Sequence, residues 1–142
     1  LAALGLRGAA IGQLVRDGAV TVGDQRVTLD QVSEPRPGQG VAVVMDTRPC
    51  PGARALAKGV DLLVSEATYL STESTEAHEH YHMTAAQAGQ LAAEGGVRRL
   101  ALTHFSQRYL QVEPFQEEAA AHHPEVFAAE DLRVVAVPKR RE

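Results

Sequence analysis

The sequence has a single cysteine, Cys50, so an internal disulfide is excluded. It has no apolar run approaching the roughly 20 residues that span a bilayer, and no membrane partner is expected. It also lacks a basic excess: 14 Lys and Arg stand against 18 Asp and Glu, for a formal net charge of -4. That balance gives no support to general nucleic-acid binding by a basic surface. A polyanionic substrate held by a local cationic site or a bound metal stays open. An initiator methionine is missing, since the chain opens on Leu1, and no charged segment followed by an apolar signal is present. The expectation is a cytoplasmic segment of a longer polypeptide. Internal repeats, low-complexity tracts and disordered composition are absent as well.

What is present suits a folded domain: 142 residues, 44% of them hydrophobic, are enough for one compact core. Glycines at 5, 8, 12, 18 and 23 cut the first segment into short pieces, predicting a brief helix around Ala10 to Arg16 and a small hairpin with Val20, Val22 and Val27 on one side. "SEPRPGQG" reads as a loop, because its prolines and glycines cannot hold a helix or a central strand. Beyond it, "VAVVMDT" (41 to 47), "LLVSEA" (62 to 67), "RLALTHF" (99 to 105) and "LRVVAV" (132 to 137) are apolar runs of strand length. Helical stretches lie between them, at Pro51 to Lys58, Thr84 to Glu94 and roughly Pro114 to His122. Alternating strands and helices predict an α/β layered fold with a largely covered sheet.

Three of those strands end in an ionisable group: Asp46, Glu66 and His104. Neighbouring strands of an α/β sheet bring such ends together along one edge, where ligands commonly bind. Taken singly, Asp46 can cap a turn, Glu66 can pair with an arginine, and His104 can be a hydrogen-bonded buried histidine. Their coincidence points to a site of two carboxylates and an imidazole. The segment "EAHEHYHMTAAQAG" adds His78, His80 and His82, an alternation that can chelate a divalent ion or be only a solvated loop. His82 differs from the other two. It precedes Thr84, a predicted N-cap with Gln87 as its capping-box partner, so its backbone is fixed. His122 and His123 fit the C-terminal end of a helix, and Cys50 has no base placed beside it by the sequence.

"DTRPC" (46 to 50), "EATYL" (66 to 70), "HMTAAQAG" (82 to 89) and "LTHFSQRY" (102 to 109) occur in the order and at about the separations of the ribonuclease Z family. The chain resembles that family over most of its length, and "HFSQRY" with "HMTA" is far more specific than a lone His or Asp motif. The resemblance implies the C-terminal half of a metallo-β-lactamase-type four-layer αββα sandwich. It implies that Asp46 bridges two zinc ions and that His104 binds one of them. It implies that Glu66 and His82 form a relay beside the scissile phosphate. The other ligands would come from a His-x-His-x-Asp-His motif in an N-terminal half, and no such motif occurs here. Met45 stands where the family usually has glycine, and Ser65 where it usually has histidine.

The resemblance further implies a zinc-dependent endoribonuclease that removes 3′ trailers from precursor tRNA, with a 3′-hydroxyl left on the tRNA and a 5′-phosphate on the trailer. Two metals about 3.5 to 4 Å apart activate a water and neutralise the phosphate it attacks. His82 is the candidate acid for the departing ribose oxygen, and Glu66 favours its imidazolium form. Ser106 and Arg108 follow the ligand strand, and Arg108 either holds a phosphate or pairs with a nearby acid. The implied partners are precursor tRNA, the N-terminal half and a second copy in a homodimer. Two other readings compete: another phosphodiesterase of the same fold, and a non-catalytic half domain that needs a partner.

Overall fold

A computed structural model describes residues 4–140. The chain forms two compact units, Leu1–Pro37 and Gly38–Glu142.

In the first unit, helix α1 (Ala9–Asp17) ends at Gly18, whose φ of 73° is the left-handed turn that glycine makes without strain. Strands β1 (Ala19–Val22) and β2 (Gln25–Thr28) then pair antiparallel, and the two-residue connection uses Gly23 at φ 61°. Val20 lies opposite Val27, and both join Leu6 and Leu14 in a small core with Val22 against it. The hairpin and the brief helix are where the apolar spacing puts them.

The second unit is built on four parallel strands in the order β3 (Val41–Val44), β4 (Leu62–Glu66), β5 (Leu100–Thr103) and β6 (Val126–Ala128). Helices α2 (Pro51–Ala57), α4 (Ala85–Gly95) and α5 (Glu113–Ala120) contribute to the core on one face, with Ala42, Val44, Leu63, Leu100 and Leu102 from the strands. A further short helix, α3 (Ser74–Glu79), lies ahead of α4. Small residues let the helices approach closely: a Cβ on Gly89 of α4 would lie 2.6 Å from the Ala119 carbonyl oxygen of α5. The opposite face carries Leu62, Ala101 and Phe127, packed by Val64, Val135 and Val137. On that face Val41 and Val43 of β3 remain 52% and 58% exposed.

Two expectations are corrected. Residues 132 to 137 do not form a strand; the place beside β5 is taken by Val126–Ala128, in register Leu100 with Val126. The "LRVVAV" alternation instead reflects a segment laid over the outer face with Val135 and Val137 inward and Val134 in solvent. It is tied at the far edge of the sheet, where Gln39 Nε2 donates to Val137 O at 2.8 Å and Arg140 Nε donates to the buried Asp61 at 3.0 Å. The "EAHEH" stretch is helical rather than a loop: His78 lies on α3 and His80 is its C-cap.

Candidate functional site

Because β3, β4 and β5 run parallel, their C-terminal ends share one edge of the sheet, with Val44 beside Ser65 and Glu66 beside Thr103. Asp46 and His104 sit just past their strands in the left-handed region, at φ 49° and 57°. Such backbone is costly for a residue with a Cβ and is concentrated at functional sites. His82 reaches the same edge from the α4 cap. Thr84 accepts from Gln87 N, and the Gln87 side chain accepts from Thr84 N at 3.0 Å, completing the expected capping box. Backbone bonds from Tyr69 N to Met83 O and from Ala85 N to Tyr69 O fasten that cap to the loop after β4.

Ligand atoms of Asp46, His82 and His104 lie within 4.8 Å of one another, the one such group of metal-ligating side chains among the described residues. Behind them is Glu66, fully buried. Its carboxylate accepts from Thr47 N at 2.5 Å, Met83 N at 3.0 Å, the Thr68 hydroxyl at 2.8 Å and His82 Nδ1 at 3.0 Å. A carboxylate can only accept, so His82 carries its proton on Nδ1 and turns Nε2 outward. Thr68 then settles the second histidine. Its one proton is committed to Glu66, so the 2.9 Å contact with His104 Nδ1 has the ring nitrogen donating. That leaves His104 Nε2, 3.2 Å from Asp46 Oδ1, as the nitrogen facing the site.

This donor set fits a divalent metal ion. Two imidazoles, each with its other nitrogen anchored to a hydrogen-bond partner, and one exposed carboxylate converge as in sites that bind such ions. With Nδ1 protonated, a neutral His104 and Asp46 would face each other as two acceptors, an arrangement that a cation relieves. The protonated alternative is an imidazolium–carboxylate ion pair.

The remaining predicted residues lie one step out. The Arg108 guanidinium sits 5.0 Å over the Tyr69 ring, and Tyr69 in turn is 6.1 Å from the His82 ring, so Arg108 is one ring removed from the histidine. Ser106 is fixed by its backbone: its N–H donates to Thr68 O at 3.1 Å and its carbonyl accepts from Tyr109 N at 3.1 Å. Tyr109 donates to Glu73, which is held below the usual carboxylate range chiefly by that bond. Burial, with Glu73 beside it, raises the Tyr109 phenol. His78 and His80 stand outside the converging group. The Cys50 thiol caps α2, accepting from Ala53 N, and is lowered mainly by that bond.

The reading of the sequence missed Thr68 and Thr47. Thr68 had a signal: it lies two residues after Glu66, so an extended chain puts both side chains on the same side. Thr47 acts through its backbone N–H, for which side-chain identity carries no mark.

No family model matches the chain. Its relatives are nonetheless clear. It is 52% identical over 142 residues to ribonuclease Z of Nocardia farcinica, covering 99% of this chain and 47% of that protein. Ribonuclease Z of Streptomyces coelicolor is 50% identical over 143 residues, covering 99% and 46%. Among solved structures, the short form of human tRNase Z superposes with a TM-score of 0.57 at 30% identity, over 80% of this chain and 37% of that one. The metallo-β-lactamase fold protein YhfI from Bacillus subtilis gives a TM-score of 0.57 at 25% identity, over 63% and 37%. The chain spans about half the length of the curated relatives it matches. By sequence along nearly its whole length and by its metallo-β-lactamase fold, the chain belongs to the ribonuclease Z family, as a segment about half as long as its curated members.

Proposed function

We propose that the protein to which this segment belongs is a zinc-dependent endoribonuclease that cuts 3′ trailers from tRNA precursors. The tRNA keeps a 3′-hydroxyl and the trailer a 5′-phosphate. The observation that carries the reading is the convergence of Asp46, His82 and His104 over the buried Glu66–Thr68 pair, in a chain about half identical to proteins named ribonuclease Z. Asp46 and His104 would hold metal, with the rest of the ligands supplied by an N-terminal half. The exposed apolar strip of Val41 and Val43 suits cover by that half. Bound divalent ions supply positive charge for the phosphate and lower the pKa of water.

The chain's own residues do the rest. Glu66 holds the His82 ring by Nδ1, so in the imidazolium form, with both nitrogens protonated, Nε2 is the nitrogen that gives a proton to the leaving ribose 3′-oxygen. Thr68 holds His104 in the tautomer that presents Nε2. Arg108, stacked on Tyr69, would meet a substrate phosphate, and its fixed guanidinium beside that ring supports the role. Homodimer assembly and a cytoplasmic location belong to the same reading.

The test is cleavage of a 3′-extended tRNA precursor by the parent protein, compared with a small bis-aryl phosphodiester, alongside metal analysis. Cleavage after the discriminator base supports the reading. Turnover of the small diester with the precursor left intact would favour another phosphodiesterase of the fold. The 142-residue chain alone is expected neither to bind two zinc ions tightly nor to cut RNA, since it holds only part of a ligand set.

A further inference from the structure

Beside the converging site lies a cluster it does not use. Arg48 is two residues past Asp46, and Tyr81 immediately precedes His82, so both flank the metal-ligating group. The Arg48 guanidinium carbon stands 4.6 Å over the Tyr81 ring centroid. Its Nη1 is 3.2 Å from His78 Nε2 and donates to the His78 carbonyl at 3.4 Å. The guanidinium is therefore held in one orientation, with other N–H groups of its five-donor fork left for a ligand.

Tyr81 is the residue in need of a reason. It is 62% exposed, so its ring gains little from burial, and its φ of 64° is one that a residue with a Cβ adopts only at a cost. Its N–H closes a local turn onto His78 O at 3.3 Å, a bond that any residue but proline would make. Folding alone would be served better by glycine at this position. An open aromatic face with a fixed cation at its back, at the rim of a phosphodiester-cleaving centre, has the two parts with which proteins hold single-stranded nucleic acid: a stacking surface and a phosphate contact. With a net charge of -4, any grip on RNA by this chain depends on such local groups.

We infer that Tyr81 and Arg48 form a nucleotide subsite, in which the Tyr81 ring stacks on the base of a nucleotide flanking the scissile phosphate and Arg48 holds a phosphate oxygen. This rests on the endonuclease reading above and adds to it what is recognised beside the cut. The subsite supplies positioning and no covalent step.

The experiment uses the parent protein and three 3′-extended tRNA precursors: one intact, one abasic at the nucleotide before the cut, one abasic at the nucleotide after it. Tyr81→Ala, and Tyr81→Gly as the substitution that relieves the backbone, are expected to raise KM on the intact precursor by about tenfold, the scale of one lost base–aromatic stack. Tyr81→Phe, which keeps the ring, should restore the wild-type KM. On one of the two abasic precursors the difference between wild type and Tyr81→Ala should shrink to within about twofold, because the stacking partner is already gone. An equal rise on all three precursors, or none on the intact one, overturns the subsite while leaving the endonuclease standing. A wild-type protein that leaves the intact precursor uncut overturns both.

Discussion

Glu66→Gln isolates the buried network because it keeps volume and removes only the charge and one acceptor. The carboxylate takes Thr47 N on Oε1, and on Oε2 it takes Met83 N, the Thr68 hydroxyl and His82 Nδ1. A glutamine has one oxygen. If its NH2 replaces Oε2, it faces two N–H donors, Met83 and His82. If it replaces Oε1, it strands the Thr47 N–H alone, which is the cheaper placement. One unsatisfied buried donor costs about 1–3 kcal/mol, and the bonds that survive lose the strength a charged acceptor gave them. The expected outcome in urea denaturation of the parent protein is a loss of about 1–3 kcal/mol. Precursor cleavage should fall sharply, because His82 loses its carboxylate partner. Metal content should stay near wild type, because Glu66 lies behind the converging group of Asp46, His82 and His104 rather than in it. A variant within about 0.5 kcal/mol of wild type, the range of changes at featureless surface positions, would refute the four-donor network and the orientation of both histidines derived from it.

Other outcomes follow from separate parts of the molecule. Asp46→Ala should lower metal content and turnover together, whereas His82→Ala should lower turnover far more than metal content; equal metal loss in the two variants would make His82 a ligand rather than the acid. Gly89→Ala should destabilise, because its Cβ would lie 2.6 Å from Ala119 O and neither helix backbone can yield cheaply. Overpacking costs about 1–3 kcal/mol against about 1 kcal/mol of helix propensity gained, a net loss of up to about 2 kcal/mol, so a melting temperature above wild type would disprove the contact. His123 is buried with Nε2 unpartnered among the described residues, and burial pushes its pKa below the ordinary value. The unfolded chain therefore binds a proton that the native one refuses, and stability should decline as pH falls below about 6.5, by at most about 1.4 kcal/mol per unit. His123→Leu should flatten the slope between pH 6.5 and 5, and an unchanged slope would reject the assignment.

The apolar runs of β4 and β5 were legible in the sequence, because a strand covered on both faces must be apolar along its length, and β3 reads the same way although Val41 and Val43 on its outer face stay exposed. So was the capping box at Thr84 and Gln87, a local device of a few residues that owes nothing to the rest of the fold. The placing of Asp46, Glu66 and His104 at one edge followed from strand ends alone. "LRVVAV" was misread because alternation records which side is buried, not whether the backbone has a ladder partner, and that partner was already Val126–Ala128.

Sequence by itself thus determined the kinds of group available and their family motifs, since these depend on residue identity and near neighbours. Only the tertiary structure decided which nitrogen each histidine presents, because that turns on Thr68 reaching His104 across 36 positions and Glu66 reaching His82 across 16. Hydrogen-bond direction is a property of atoms brought within about 3 Å, and no spacing along the chain states it.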